Sequence, residues 1–377
     1  MFVCPRCGAR YPAEEPRWRC ACGSCLNWDK PVRFDRESIN RHDYSLWRYR
    51  HVLPLPAGAE PVTLGEGWTP LVPVKWHGRE ILFKLDYLCP SGSFKDRGTT
   101  VLVSQLKAWG IQDVVEDSSG NAGASLATYA ARAGIGCTIY VPASASRGKL
   151  VQVALAGAHL VPVPGSREDT TRAVLQAART TFYASHNLSP LFAEGVKTLA
   201  LELAEQLGWA APESIVIPVG NGSLALGLAA GFKLLAAAGV IGRLPRLIAV
   251  QSAACAPLAA AFAAGAAEPA SIAKGPTLAE GIASAAPPRG REVLAAVQAS
   301  SGRFITVTEE EIVTALAELA ACGLYVEPTS ATAAAALTKL CARGDLRPAE
   351  RAVAVLTGSG LKATDKLQEL FGNKLPL

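Results

Sequence analysis

Along most of this chain, short apolar runs of strand length alternate with longer stretches that repeat apolar residues at helical spacing. The runs at 81–86, 113–117, 137–142, 159–163, 215–219, 247–251 and 352–356 predict strands. The stretches between them predict helices, among them an Ala-rich one ending near Gly134 and another running from the 220s to about Gly239. This alternation predicts an α/β fold built on parallel sheets, in which ligands collect at the C-terminal ends of strands. Turn-forming clusters at 162–166 and 286–290 predict loops. The small-residue region 253–267 contains Pro257 and Gly265 and is too short to span a membrane, so it predicts a helix of the globular body and no membrane partner.

Composition narrows this picture. The chain has 377 residues, half of them hydrophobic, enough for two cores. Its net charge is +5, and the first 50 residues hold about four of those five charges. Glu14, Glu15, Asp29, Asp35, Glu37 and Asp43 are interspersed among them, which argues for a solvated surface and against a nucleic-acid face. Five of the ten cysteines fall in the first 25 residues: Cys4, Cys7, Cys20, Cys22 and Cys25. Cys4-Pro5-Arg6-Cys7-Gly8 reads as a zinc knuckle, with Gly8 allowing the turn that aims two thiolates at one ion. Cys22 is the third expected ligand, and the fourth is either Cys20 or Cys25. Cys89, Cys137, Cys255, Cys322 and Cys341 read as small core residues. No secretory leader is recognisable at the start, so the expected compartment is the reducing cytoplasm.

Four strand-turn-helix junctions carry the candidate chemistry. SGSFKDRG (91–98) sets Lys95 after a tight turn and at a helix start, where partial burial favours the neutral, nucleophilic amine. SSGNAG (118–123) places Ser118, Ser119, Gly120 and Asn121 at a helix N-terminus, a cup of N–H groups suited to a carboxylate. GNGSL (220–224) places Gly220, Asn221, Gly222, Ser223 and Leu224 before another helix, a cradle for a small phosphate ester. It has neither the Lys-Ser/Thr ending of a nucleotide loop nor the dinucleotide glycine spacing. TGSGLK (357–362) presents Thr357 and neighbouring hydroxyls.

In this order, and together with GEGWTPL (65–71) and EPTSA (327–331), these segments resemble the fold-type II pyridoxal-phosphate (PLP) enzymes, threonine synthases above all. The resemblance covers about residues 60–365. It implies a two-domain, tryptophan synthase β-like α/β fold, preceded by a small Cys-rich zinc-ribbon-like segment at 1–30. The larger PLP-binding domain would take 31–96 and 189–377, and a small mobile domain 97–188. It further implies that Lys95 holds PLP covalently and moves protons, that 220–224 hold its phosphate, and that Asn121 meets the ring hydroxyl. Ser118, Ser119 and Gly120 would take the substrate carboxylate, and Thr357 would face the pyridine nitrogen as a neutral hydroxyl. A small amino-acid substrate, structural zinc and a homodimer complete the expectation.

The reaction implied first is a PLP-dependent lyase of threonine-synthase type, with γ-elimination of phosphate from O-phosphohomoserine and addition of water at Cβ. Two departures point elsewhere. Threonine synthases carry Gly-Asn-Thr where this chain has Gly120-Asn121-Ala122, and a Ser-x-Asn-Pro-x-Arg segment before Glu-Gly-x-Lys-Thr. Here Phe192 falls at the arginine that would grip a substrate phosphate, while Arg147, Lys149, His186 and Lys197 are other cations within reach in sequence. TLAEGIA (277–283) and SSGNAG are similar to serine/threonine ammonia-lyases, which makes such a lyase, or a β-replacement enzyme, the alternative. An alternative of another class is a non-catalytic PLP-binding protein with a zinc-ribbon interaction module.

Overall fold

In the computed structural model, residues 1–29, 32–145, 147–347 and 349–372 are described, without the side chains of Arg147 and Lys149. The chain forms two compact units. The first comprises 1–67, 89–91 and 95–198; the second comprises 68–88, 92–94 and 199–377. Residues 32–67, expected with the larger domain, cluster with the first unit. The cause is packing, since Leu46, Trp47 and Leu53 are buried together with Val101 in one apolar cluster.

The first unit opens on a three-stranded antiparallel ribbon: β1 (Phe2–Val3), β2 (Arg10–Tyr11) and β3 (Asn27–Trp28). The next two strands, β4 (Leu71–Trp76) and β5 (Arg79–Lys84), belong to the second unit. The first then resumes with α1 (Lys95–Ala108), β6 (Asp113–Glu116), α2 (Asn121–Ala133), β7 (Gly136–Pro142), α3 (Arg147–Leu155), β8 (His159–Val163), α4 (Arg167–Ala177), β9 (Phe182–Tyr183) and α5 (Pro190–Val196). Its parallel sheet runs β8-β7-β6-β9. β8 takes the expected run 159–163, so Pro162, where the expected strand and loop overlapped, is in the strand, and an edge position spares its missing N–H. The helix after β6 stops at Gly134, as its sequence predicts, because that residue adopts the left-handed conformation at φ 71°.

The ribbon is docked on this unit. Trp18 meets Tyr183 edge-on at 5.0 Å, and Trp109 meets Phe2 at 6.2 Å while its indole N–H donates to Ala13 O (3.2 Å).

The second unit continues with α6 (Thr198–Gln206), whose first residue lies in the first unit, β10 (Ser214–Pro218), α7 (Ser223–Ala237), β11 (Arg246–Ser252), α8 (Pro257–Ala263), α9 (Gly290–Ala299), β12 (Arg303–Val307), α10 (Glu309–Ala321), α11 (Pro328–Arg343), β13 (Ala352–Val355) and α12 (Thr364–Phe371). Its sheet runs β12-β11-β10-β13-β5-β4 and is parallel except for the edge strand β4. β10 and β13 are buried at every position, which is why they read as unbroken apolar runs. Sequence reading missed β12 and β4, whose partly exposed positions break the apolar run. Cys322, expected in the core, is exposed just past α10, whereas Cys89 and Cys255 are buried as expected.

Candidate active site

In the second unit, two loops leave the C-terminal ends of adjacent parallel strands. After β10, Gly222 takes φ 90° as the N-cap of α7, and no side chain caps that helix. Its first-turn N–H groups therefore have no side-chain acceptor, which leaves them for an anion. Close approach requires the glycines here. A Cβ on Gly220 would fall 2.7 Å from Ile282 Cα, and one on Gly222 would strike Val293. Asn221 Oδ1 accepts from Ser284 Oγ (2.7 Å), which steadies the loop.

After β13, Thr357 is 3% exposed. Ser330 Oγ accepts from the N–H groups of Thr357 (2.9 Å) and Gly358 (2.7 Å) and lies 3.1 Å from Thr357 Oγ1. Ser330, inside the EPTSA segment but given no role from sequence, thus holds the turn that presents Thr357. Phe94 N donates to Thr357 O (2.9 Å), so the residue preceding Lys95 is hydrogen-bonded to the same turn.

In the first unit, α1 begins at Lys95, the expected helix start. Lys95 Nζ lies 5.8 Å from the centroid of Phe192. Phe192 is 1% exposed, and its ring fills the space where a Cβ on Gly98 would stand, 2.5 Å away. Asp96 was also passed over from sequence. It is buried, and its carboxylate accepts from Ser91 N (2.6 Å), Ser91 Oγ (2.5 Å) and Ser125 Oγ (2.6 Å). Burial pushes its pKa up to about 6 despite those donors. The 118–121 turn leads into α2, with Gly120 as an N-cap that lacks a side-chain bond and Asn121 as the first helical residue.

Of the other cations, Lys197 is committed: its Nζ donates to Val52 O (2.9 Å) and pairs with Glu194. His186 Nδ1 lies 2.9 Å from Glu116 Oε1. The side chains of Arg147 and Lys149 lie outside the described ones. Glu66, in the GEG segment, accepts from Trp47 Nε1 (3.0 Å), Thr63 Oγ1 (3.0 Å), Leu64 N (2.9 Å) and Tyr129 Oη (2.6 Å), and it fastens three segments of the unit.

The ribbon brings four sulfurs, those of Cys4, Cys7, Cys20 and Cys22, within 4.8 Å of one another. Cys4 and Cys22 stand 3.6 Å apart, and Cys7 and Cys20 3.5 Å. Cys25 is outside this cluster, so of the two open choices the geometry selects Cys20. Tetrahedral zinc with Zn–S near 2.3 Å has S···S edges of about 3.8 Å, which this set fits. Cys7 N donates to Cys4 Sγ (3.5 Å), and the Tyr11 hydroxyl, 3.2 Å from Cys20 Sγ, helps to hold that thiol down at about 6.

Residues 62–358 match the family model described as pyridoxal-phosphate dependent enzyme. The chain belongs to the pyridoxal-phosphate-dependent enzyme family. It is 35% identical to the threonine synthase of Methanocaldococcus jannaschii over 96% of this chain and 93% of that one. It is 37% identical to the threonine synthase of Mycobacterium leprae over 84% and 88% of the two chains. Among solved structures, threonine deaminase isoform 2 from Solanum lycopersicum superposes with a TM-score of 0.71 at 21% identity, covering 91% of each chain. Maize serine racemase superposes with a TM-score of 0.70 at 23% identity, covering 81% of this chain and 92% of that one. These neighbours share the mixed α/β fold expected from sequence. The uncapped, glycine-built cradle before α7 fits the phosphate of the family's cofactor.

Proposed function

We propose that this chain is a lyase of threonine-synthase type that acts on a small amino acid, releasing phosphate from O-phosphohomoserine and adding water at Cβ. The observation that carries the reading is similarity to threonine synthases along nearly their whole length, 93% of the Methanocaldococcus protein. When bound, PLP supplies an electron sink for negative charge at the substrate Cα. In this proposal residues 220–224 hold the cofactor phosphate, and Lys95 holds the cofactor and then moves the Cα proton on its Nζ. Asn121 meets the ring hydroxyl, while Ser118, Ser119 and Gly120 orient the substrate carboxylate. Thr357 faces the ring nitrogen with a hydroxyl. Ser330 has one proton to share between Thr357 Oγ1 and Gly358 O, at 3.1 and 3.0 Å. When that proton goes to Thr357, the threonine is free to donate its own.

One observation favours a second reading, a serine/threonine ammonia-lyase or a β-replacement enzyme. Phe192 is buried beside Lys95 and brings no charge for a substrate phosphate. The test is a product assay by mass spectrometry on PLP-loaded protein given O-phosphohomoserine, threonine and serine separately. Threonine and inorganic phosphate from the first support the synthase. 2-Oxobutanoate or pyruvate from the others, with the first untouched, replace it by the lyase.

Zinc on Cys4, Cys7, Cys20 and Cys22 is part of the proposal. Because Trp18 and Phe2 pack against the parallel-sheet unit, chelation is expected to lower the melting temperature, with one metal per chain released. No metal found on elemental analysis would remove this part. A homodimer in the cytoplasm, with 97–188 moving on substrate binding, completes the reading. The ten cysteines, none of them in a disulfide, suit a reducing compartment.

A further inference from the structure

Within the first unit, one buried pair has no part in the chemistry described above. β6 and β9 are parallel neighbours, with Val115 opposite Tyr183, and Glu116 ends β6 while His186 follows three residues after β9. Both therefore stand at the C-terminal edge of the sheet that also carries the 118–121 turn. Glu116 is 1% exposed; Oε1 lies 2.9 Å from His186 Nδ1, and Oε2 is buried with no hydrogen-bond partner among the described residues. The imidazole lies 5.9 Å from the Phe192 ring, whose centroid is 5.8 Å from Lys95 Nζ. A continuous line of side chains thus runs from the reactive amine to a buried acid.

Charges from several elements face this pair: Lys95 of α1, Asp117 beyond β6 and Arg167 of α4. Asp117 is itself held by Tyr183 Oη (2.7 Å), Thr171 Oγ1 (2.8 Å) and Arg167 (2.9 Å). Burial first, then the charge of Lys95, hold His186 down at about 3, and burial first, then Asp117, raise Glu116 well above its ordinary value. Burial of both groups and the unpartnered Oε2 favour a neutral imidazole beside a protonated carboxyl. With the acid proton donated to Nδ1, the imidazole carries its own proton on Nε2, the nitrogen on the far side of the ring from Glu116. Among the described residues Nε2 has no hydrogen-bond partner, and 12% of the side chain remains accessible.

We propose that His186, with Glu116 behind it, is the proton-transfer group for the substrate's side chain, leaving Lys95 to serve Cα. The substrate class is then an amino acid whose side chain departs through oxygen, a proposal that rests on the lyase reading above. Nε2 gives its proton to the departing oxygen while Nδ1 takes the proton of Glu116, so no net charge forms on the ring. The water that adds at Cβ loses a proton to Nε2, and Nδ1 returns one to Glu116, which balances the cycle. Glu116 is a positioning residue and proton store; His186 is the group that touches substrate.

The test uses PLP-loaded wild type, His186→Gln and Glu116→Gln, each followed in D2O by NMR for Cα exchange and by product release. For His186→Gln, exchange is expected to stay within about 3-fold while product release falls about 10²- to 10³-fold. Glu116→Gln keeps a donor toward Nδ1 but no acid proton. It is expected to slow product release about 10-fold and to change the pH profile of that step alone. Parallel loss of exchange and product in both variants, or product release unchanged in His186→Gln, overturns the proposal. Wild type that forms no threonine from O-phosphohomoserine unseats only the synthase reading, since the comparison then runs on whichever amino acid it does convert.

Discussion

Two lysines, one in each compact unit, make opposite use of a protein interior. Lys84 is fully buried at the end of β5, where its ammonium meets Thr69 O, Glu202 and Gln206 Oε1 (2.8 Å). Three donors meet three acceptors, one of them a buried carboxylate that also takes the N–H groups of Trp68 and Thr69, each at 2.8 Å. Such an amine is a fastener. Lys95 is partly exposed at the first position of α1 and faces the Phe192 ring, while the neighbouring Asp96 is committed to Ser91 and Ser125. Burial alone does not make a lysine a nucleophile. What separates the two is exposure and setting: Lys84 is fully buried against a carboxylate, whereas Lys95 keeps solvent access at a helix start.

The largest effect expected from this contrast is on chemistry. Lys95→Ala should lower turnover by about 10⁴-fold and abolish the absorbance of lysine-linked cofactor, whereas Lys84→Met keeps that absorbance. A lysine-linked band surviving in Lys95→Ala would reverse the assignment.

Lys84→Ala should instead destabilise the fold by about 3–5 kcal/mol in denaturant unfolding, because Glu202 is left charged and buried. Replacing both partners, Lys84→Met with Glu202→Leu, should recover most of that loss. If the double variant is as unstable as the single, the pair does more than neutralise itself.

The acids beside the two lysines sharpen the contrast through pH. Asp96 has its pKa raised from 3.8 to about 6, so as pH rises the unfolded chain releases this proton first. Its contribution to stability is full below about pH 4 and is lost by about pH 6, a change of roughly 3 kcal/mol. Asp96→Asn should therefore gain on wild type over that window. An offset between the two unfolding curves that stays constant with pH would show that Asp96 is not held protonated.

The smallest effect concerns the wall beside Lys95. Gly98→Ala drives a methyl into Phe192 and should cost about 1–3 kcal/mol, with relief from Phe192→Leu in the same chain. Two losses that simply add in unfolding experiments would mean the ring moves aside freely.

The amino-acid sequence by itself determined most strands of the two sheets, though not β4, β9 or β12, because strands buried along their length demand unbroken apolar runs, and it determined the segments around Lys95, Asn121, Gly220 and Thr357. Those segments are legible because glycines, small residues and a helix start are local requirements met within a few residues. What lies far apart in the chain was decided only by tertiary structure. Glu116 and His186 are separated by 70 residues, and Lys84 and Glu202 by 118. Nothing local marks either pair, since a charged residue at a strand end reads as surface until the opposite element is placed. The choice of Cys20 over Cys25 depended likewise on how the ribbon closes, with Gly23 at φ 85° turning the chain inside the second knuckle. Phe192 was visible as a departure from the family pattern, but only the structure showed that its ring packs on Gly98 and lies beside Lys95. Local backbone chemistry is written in adjacent residues; the environment of a charge is set by whatever the fold brings against it.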